Sequence, residues 1–181
     1  NAAANAARTY IFLPDGTYDL GDKCLTPISG NNISIIGESM DNTIIVNKPE
    51  VEGIGVPATL IITCTGLYMQ DLTLKNAYPF DKSTGLAVCL QDKGTQTICK
   101  NVKMLSYQDT YYSNNNNGQY YFEGSDIHGI VDFICGGGDA FLNKCTLTLA
   151  PGKGSYITPP YKDATNNGYE IEGCKIVRSA T

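Results

Sequence analysis

Apolar and polar residues alternate in short runs of four to six along this chain, with no three-to-four spacing of an amphipathic helix between them. Tyr10-Ile-Phe-Leu13 runs into Pro14-Asp15-Gly16, a strand followed by a turn. Beyond it one phrase recurs: an apolar residue, a polar or glycine corner, then a short alternating strand. The instances are Asn32-Ile-Ser-Ile-Ile-Gly37, Met69-Gln-Asp-Leu-Thr-Leu74, Ile98-Cys-Lys-Asn-Val-Lys-Met104, Phe122-Glu-Gly-Ser-Asp-Ile127, Phe141-Leu-Asn-Lys-Cys-Thr-Leu147 and Tyr169-Glu-Ile-Glu-Gly-Cys-Lys-Ile176. Aligned, they stack Ile33, Leu72, Val102, Ser125, Cys145 and Cys174, at steps of 39, 30, 23, 20 and 29 residues. Irregular steps above about 20 residues suit solenoid coils whose loops vary while the strands keep register. The pattern predicts an all-β parallel β-helix with an inward ladder at the stacked position. A β-sandwich also has short, turn-bounded strands, but the repeated phrase favours the solenoid. The Ala-rich start reads as the tail of a helix, and Asn114 to Asn117 as a loop tip.

Composition narrows this picture. The length of 181 residues fits a single domain, residues 1–181, with a real core. Charged residues make up 17%, against a usual share of about 25%, leaving few solvated helix faces. Nineteen glycines and twelve tyrosines beside five phenylalanines mark a strand-rich, turn-rich chain. The formal charge of −5, without any Lys/Arg run, argues against a nucleic-acid partner. It also weighs against a polyanionic partner unless many of that partner's acids are esterified. No stretch approaches 18 apolar residues, so no membrane-spanning helix is expected. The abrupt start at Asn1 and end at Thr181, with no signal segment, read as a domain lacking both ends. Seven cysteines, odd in number and without a CxxC, sit mostly in apolar runs and read as buried free thiols. The single His128 has no cysteine at finger spacing, so no metal site is predicted.

Candidate chemistry concentrates in Ser106-Tyr-Gln-Asp-Thr-Tyr-Tyr112 and Ile127-His-Gly-Ile-Val-Asp-Phe-Ile-Cys-Gly136. Asp132 lies inside an apolar run, where an unpaired carboxylate is costly and needs partners or a purpose. Asp109 precedes it by 23 residues, about one coil. The two carboxylates should then stand roughly 5 to 10 Å apart on neighbouring rungs. At that distance their proton affinities separate, making one a nucleophile or base and the other an acid. A lone Asp in a strand is more often a turn cap or ion-pair partner; the pair, its spacing and the adjacent Gln108 reverse those odds.

These segments resemble the pectin methylesterase family. Its signature is Gln-Asp-Thr-Leu-Tyr followed by Gly-Thr-Val-Asp-Phe-Ile-Phe-Gly; this chain has Gln108-Asp-Thr-Tyr-Tyr112 and Gly129-Ile-Val-Asp-Phe-Ile-Cys-Gly136. Ile35-Ile-Gly-Glu38, Ala58-Thr-Leu60, Gly66-Leu-Tyr-Met-Gln-Asp-Leu-Thr-Leu-Lys-Asn76 and Ala87-Val-Cys-Leu90 extend the similarity, in family order, over nearly the whole chain. The resemblance implies a right-handed parallel β-helix, secreted, periplasmic or at the cell surface, monomeric, and acting without cofactor or metal on methyl-esterified pectin. It implies Asp132 as nucleophile, Asp109 as the acid that protonates departing methanol, and Gln108 as the oxyanion-stabilising amide. Tyr112 and Phe133 match aromatics bordering the sugar groove, and Thr59 a threonine that contacts substrate.

Two departures stand out. Leu86 replaces a second oxyanion Gln, and the family's nucleophile-orienting Arg is expected past residue 181, since Arg8 and Arg178 lie in other contexts. They motivate one rival, a non-catalytic pectin-binding β-helix. A polyuronate lyase ranks last, because no Arg stands near either aspartate in sequence. His128 has no GxSxG elbow to serve and reads as a groove-side or surface histidine. Gly136-Gly-Gly138 lacks the Lys-Ser/Thr of a phosphate loop and reads as a turn. Asn32-Ile-Ser34 fits a glycosylation sequon, a pattern with many false matches. For Tyr107, Tyr111, Tyr120 and Tyr121, packing is the favoured reading over lining a groove.

Overall fold

The structure is a computed structural model and describes residues 7–22, 27–51, 53–54, 58–79, 86–151, 156–159, 161 and 166–179. The Ala-rich start and Cys24 lie outside them. All the regular elements described are strands, and every strand pairing is parallel. The chain is a right-handed parallel β-helix; a sandwich of antiparallel hairpins is excluded.

Each coil bends a strand around a corner and closes it with a shorter one. The first flank stacks β1 (Thr9–Leu13), β3 (Ile33–Gly37), β6 (Tyr68–Asn76), β8 (Thr97–Leu105), β10 (Gln119–Glu123), β13 (Asp139–Asn143) and β15 (Tyr169–Glu172). The second flank runs through β2 (Gly16–Asp19), β4 (Thr43–Asn47), the far halves of β6 and β8, then β11 (Asp126–Gly129), β14 (Thr146–Leu149) and β16 (Lys175–Arg178). A small separate sheet of β5 (Leu60–Ile62), β7 (Leu90–Asp92), β9 (Tyr111–Ser113) and β12 (Ile134–Gly136) makes the third side.

The corner between the two flanks is a column of left-handed residues: Asp71, Asn101, Gly124, Lys144 and Gly173, with φ of 53, 50, 58, 54 and 60°. Asp, Asn and Gly enter this conformation at least cost, which explains the polar or glycine corner of the repeated phrase. Asn101 Nδ2 donates to Asp71 Oδ1 at 3.0 Å along the column. The next residue of each coil turns inward, and register stacks Leu72 on Val102. Ser125, Cys145 and Cys174 continue this ladder, one residue ahead of the paired Asp126, Thr146 and Lys175. Where the corner interrupts the backbone ladder, side chains complete it. Val102 N–H donates to Ser125 Oγ at 3.1 Å, and Cys145 N–H to Cys174 Sγ at 3.2 Å.

The ladder's expected first rung is corrected. Ser34 pairs with Tyr68 but Ile44 pairs with Thr73, so residues 38–42 form an inserted corner and Thr43, fully buried, stacks on Leu72. Ile33 belongs to the preceding flank. Gly37 enters that corner because a Cβ there would lie 2.2 Å from the Asp71 carbonyl oxygen.

Two inward columns of apolar side chains fill the axis. Ile35, Met69, Cys99, Phe122 and Leu142 stack on one flank, and Ile45, Leu74, Met104, Ile127 and Leu147 on the other. Tyr111 meets Phe122 edge-on at 4.8 Å between ring centres. Burying each such side chain contributes about 1.5–3 kcal/mol. Cys64, Cys89, Cys99, Cys135 and Cys145 are buried free thiols, and Cys174 is half-buried on the last described coil. Among the described residues no helix is long and apolar enough to cross a membrane.

Candidate active site

The aspartates sit where the second flank passes to the small sheet. That passage is short in two adjacent coils, residues 106–110 and 130–133, and longer in the coils before them, residues 48–59 and 77–89. The short turns are fastened from inside. Ser106 Oγ donates to the Ala87 carbonyl, and Thr110 Oγ1 to the His128 carbonyl at 2.7 Å. Gly129 leaves room for Phe133, whose Cβ would lie 2.0 Å from any Cβ added at Gly129.

Parallel bridges join Leu86 to Gln108 and Gln108 to Val131, so Asp109 and Asp132 occupy equivalent positions on neighbouring coils. Coils in such a stack are about 4.8 Å apart. Both aspartates are left-handed, with φ of 55 and 52°, a conformation Asp adopts more readily than most residues. The backbone N–H of Asp132 donates to the Tyr156 carbonyl at 2.7 Å, fixing the second turn against the next coil.

The pair is electrostatically unequal. Asp109 is 5% exposed, whereas Asp132 is half-buried. Burial first, and the negative charge of Asp132 as well, push the Asp109 carboxyl up to about 6, against an opposing hydrogen bond with Cys135. Burial and the charges of Asp109 and Asp132 push the Cys135 thiol far up, so it stays protonated. A buried acid that holds its proton up to about pH 6, beside a more accessible one, is a pair whose members can divide acid and base duties.

The other predicted residues divide. Gln108 is half-buried in the column between Leu86 and Val131, one residue from Asp109. Tyr112 is half-buried on the outer face of β9, beside Cys135, with its hydroxyl donating to Asn114 Oδ1 at 3.1 Å. Phe133 and Thr59, expected to meet the substrate, are both buried. Phe133 is 0% exposed within the core, because the residue after Asp132 turns inward over Gly129. Thr59 is 1% exposed and donates to Asn47 Oδ1 at 2.7 Å, fastening the longer turn of an earlier coil. Both lie in the passages that join the second flank to the small sheet.

The remaining candidates find structural places. His128 faces outward on β11 with Nε2 2.9 Å from Asp126 Oδ2. Burial alone would raise Asp126, but hydrogen bonds from His128 and Thr148 hold its carboxyl below the usual range. Ser34 of the sequon is buried and accepts from Arg8 at 3.2 Å. Gly136 makes the turn after β12 with φ of 110°. Tyr111 and Tyr120 pack inside and Tyr121 stacks edge-on against Phe141, while Tyr107 lines an outer hollow with Lys75, Tyr78 and His128. Among the described residues no three His, Cys, Asp or Glu converge where a metal ion could sit. Cys135, read from sequence as one of the buried free thiols, is one, and it lies close enough to both aspartates to feel their charge.

A family model described as Pectinesterase matches residues 1–181. The chain belongs to the pectinesterase family. It is 28% identical to putative pectinesterase 11 of Arabidopsis thaliana over 98% of this chain and 49% of that protein. It is 29% identical to a pectinesterase of Ralstonia solanacearum over 81% of this chain and 44% of that protein. Among solved structures it resembles pectin methylesterase PemA from Erwinia chrysanthemi, with a TM-score of 0.85 and 26% identity, over 99% of this chain and 60% of that one. A pectin methylesterase in complex with a hexasaccharide matches at a TM-score of 0.83 and 25% identity, again over 99% and 60%. The chain thus spans about half the length of these curated relatives or less.

Proposed function

We propose that the complete protein carrying this chain is a pectin methylesterase, removing methyl esters from methylated polygalacturonate with release of methanol. The observation that carries the reading is the Asp109–Asp132 pair on adjacent coils, one buried and proton-retaining, the other more accessible, in a chain of the pectinesterase family. Asp132 attacks the ester carbonyl carbon, and the developing oxyanion takes a hydrogen bond from the Gln108 amide, an effect worth on the order of 3 kcal/mol in comparable sites. The carbon–methoxy bond breaks as Asp109 gives its proton to the departing oxygen, leaving methanol and an anhydride between substrate and Asp132. Asp109, now ionised, takes a proton from water; the hydroxide attacks the acyl carbon and Asp132 leaves as carboxylate. Tyr112, on the outer face beside the pair, is placed to border a sugar ring. A polymeric substrate places the enzyme outside the cytoplasm: secreted, periplasmic or on the cell surface.

The test is methanol release from methylated pectin by the complete protein and two variants. Asp132→Asn is expected to abolish release, since a neutral amide cannot form the anhydride. Asp109→Asn should reduce it by roughly 10²- to 10⁴-fold, the usual worth of a positioned proton donor. A fully active Asp132→Asn protein would overturn the assignment. Leu86, stacked directly beside Gln108, favours a second reading in which the groove binds pectin without cleaving it, because the site then has one amide donor fewer. Pectin binding by a wild-type protein that releases no methanol would select that reading.

A further inference from the structure

We propose that Thr110 is a positioning residue for the aspartate pair: its hydroxyl braces the turn that carries Asp109 against the turn that carries Asp132, and so sets the separation of the two carboxyl groups. The inference rests on the aspartate reading above and gives a duty to a residue outside the machinery of Asp132, Asp109 and Gln108. Thr110 is fully buried, so it meets no substrate and can act only through its neighbours. Register fixes its place. Gln108 pairs with Val131 and Tyr111 with Ile134, so Thr110 stands level with Phe133, each directly after its aspartate. Both of these side chains are buried.

The Thr110 hydroxyl does not bond along this register. It donates at 2.7 Å to the carbonyl of His128, near the end of β11. The bond therefore runs diagonally across the inside of the site, from just after Asp109 to just before the turn of Asp132. Backbone bonds hold the spacing of the two coils on either side of the aspartates: Ile130 N–H donates to the Tyr107 carbonyl at 2.7 Å, and Tyr111 N–H to the Phe133 carbonyl at 2.9 Å. A diagonal bond adds what these rungs lack, resistance to shear of one turn along the other. Shear matters here because both aspartates are left-handed corner residues, with φ of 55 and 52°, so a small change in either turn swings its carboxyl group. Ser106 Oγ ties the Asp109 turn to the Ala87 carbonyl of the preceding coil; Thr110 supplies the tie to the coil of the partner aspartate. Its branched Cβ restricts χ1, so the hydroxyl is aimed in advance. Acid and nucleophile must reach one ester group together, and a misplacement of about 1 Å can cost on the order of 10²-fold in rate.

The test uses the complete protein with Thr110→Val, which keeps the shape and loses the hydroxyl, and Thr110→Ser, which keeps the hydroxyl and loses the methyl group. Methanol release from methylated pectin gives kcat per folded molecule and KM, and crystal structures of both variants give the separation of the two carboxyl groups. Thr110→Val should lower kcat by roughly 10- to 100-fold with KM within about twofold of wild type, and change the separation by more than about 0.5 Å. Thr110→Ser should keep the wild-type separation and a kcat within about threefold. Should Thr110→Val fail to fold, Thr110→Ala, which also lacks the hydroxyl, carries the same expectations. A hydroxyl-free variant that is less stable but has wild-type kcat and separation when folded overturns the proposal. Equal losses in Thr110→Val and Thr110→Ser overturn it too, because only the first removes the brace. The structural readout does not require catalysis. A changed separation in a protein that releases no methanol supports the brace while removing the esterase reading, and methanol release with unchanged separation in Thr110→Val does the reverse.

Discussion

At the scale of the residue, carboxyl groups inside this solenoid are tuned by what surrounds them. Asp92 is the plainest case, because β7 directs it inward, where it is fully buried. Its Oδ1 accepts from the Gly94 N–H at 2.9 Å, and among the described residues Oδ2 has no hydrogen-bond partner. Burial pushes this group up to about 6, above the ~3.9 of an unfolded chain. The native state therefore holds a proton that the unfolded chain releases between those values. Stability from this group is greatest below about pH 4 and is lost as pH rises through about 6; Asp109 adds to the loss in the same direction. Asp92→Asn keeps an acceptor for Gly94 without the buried charge. Its melting temperature should exceed that of wild type at pH 7, and the difference should vanish near pH 4. An equal difference at both values would show that packing, not charge, separates the two proteins. Asp109 also carries a kinetic prediction. If Asp109 is the proton donor proposed above, kcat/KM for methanol release should fall as pH rises through about 6.

At the scale of the element, the site depends on turns that admit no extra atoms. Gly136 ends β12 with φ of 110°, and a Cβ there would lie 2.2 Å from the Ser113 carbonyl oxygen of the neighbouring coil. Gly136→Ala therefore combines backbone strain with a backbone clash, and should cost at least ~2 kcal/mol in denaturant unfolding. Since β12 follows Asp132 directly, methanol release should fall further than the population of folded protein accounts for. A variant of wild-type stability would show that the coil can slide and that the turn is less constrained than its geometry indicates.

At the scale of the whole molecule, each coil packs on its neighbours, so shielding varies along the axis. Among the described thiols, Cys64, Cys89, Cys99, Cys135 and Cys145 are covered, and Cys174 is the most accessible. A pulse of thiol reagent on the native protein, read by mass spectrometry, should modify Cys174 first and the others only as coils open. Early modification of Cys99 or Cys145 would contradict the inward ladder.

Much of this was legible in the sequence because a solenoid writes its geometry locally. The left-handed corner needs Asp, Asn or Gly, the next residue must be small or apolar to turn inward, and the interval between corners is one coil. Leu72, Val102, Ser125, Cys145 and Cys174 could thus be aligned from sequence, and the interval from Asp109 to Asp132 placed them on neighbouring coils. Tertiary structure alone decided the rest. Nothing local distinguishes Ile33 from Thr43 as the first rung, since the inserted corner at residues 38–42 shows only in the pairing. Nor could spacing reveal that Phe133 and Thr59 point inward. At a tight turn the side-chain direction is set by what the facing strand end leaves open or bonds, here the missing Cβ of Gly129 for Phe133 and the side-chain oxygen of Asn47 for Thr59.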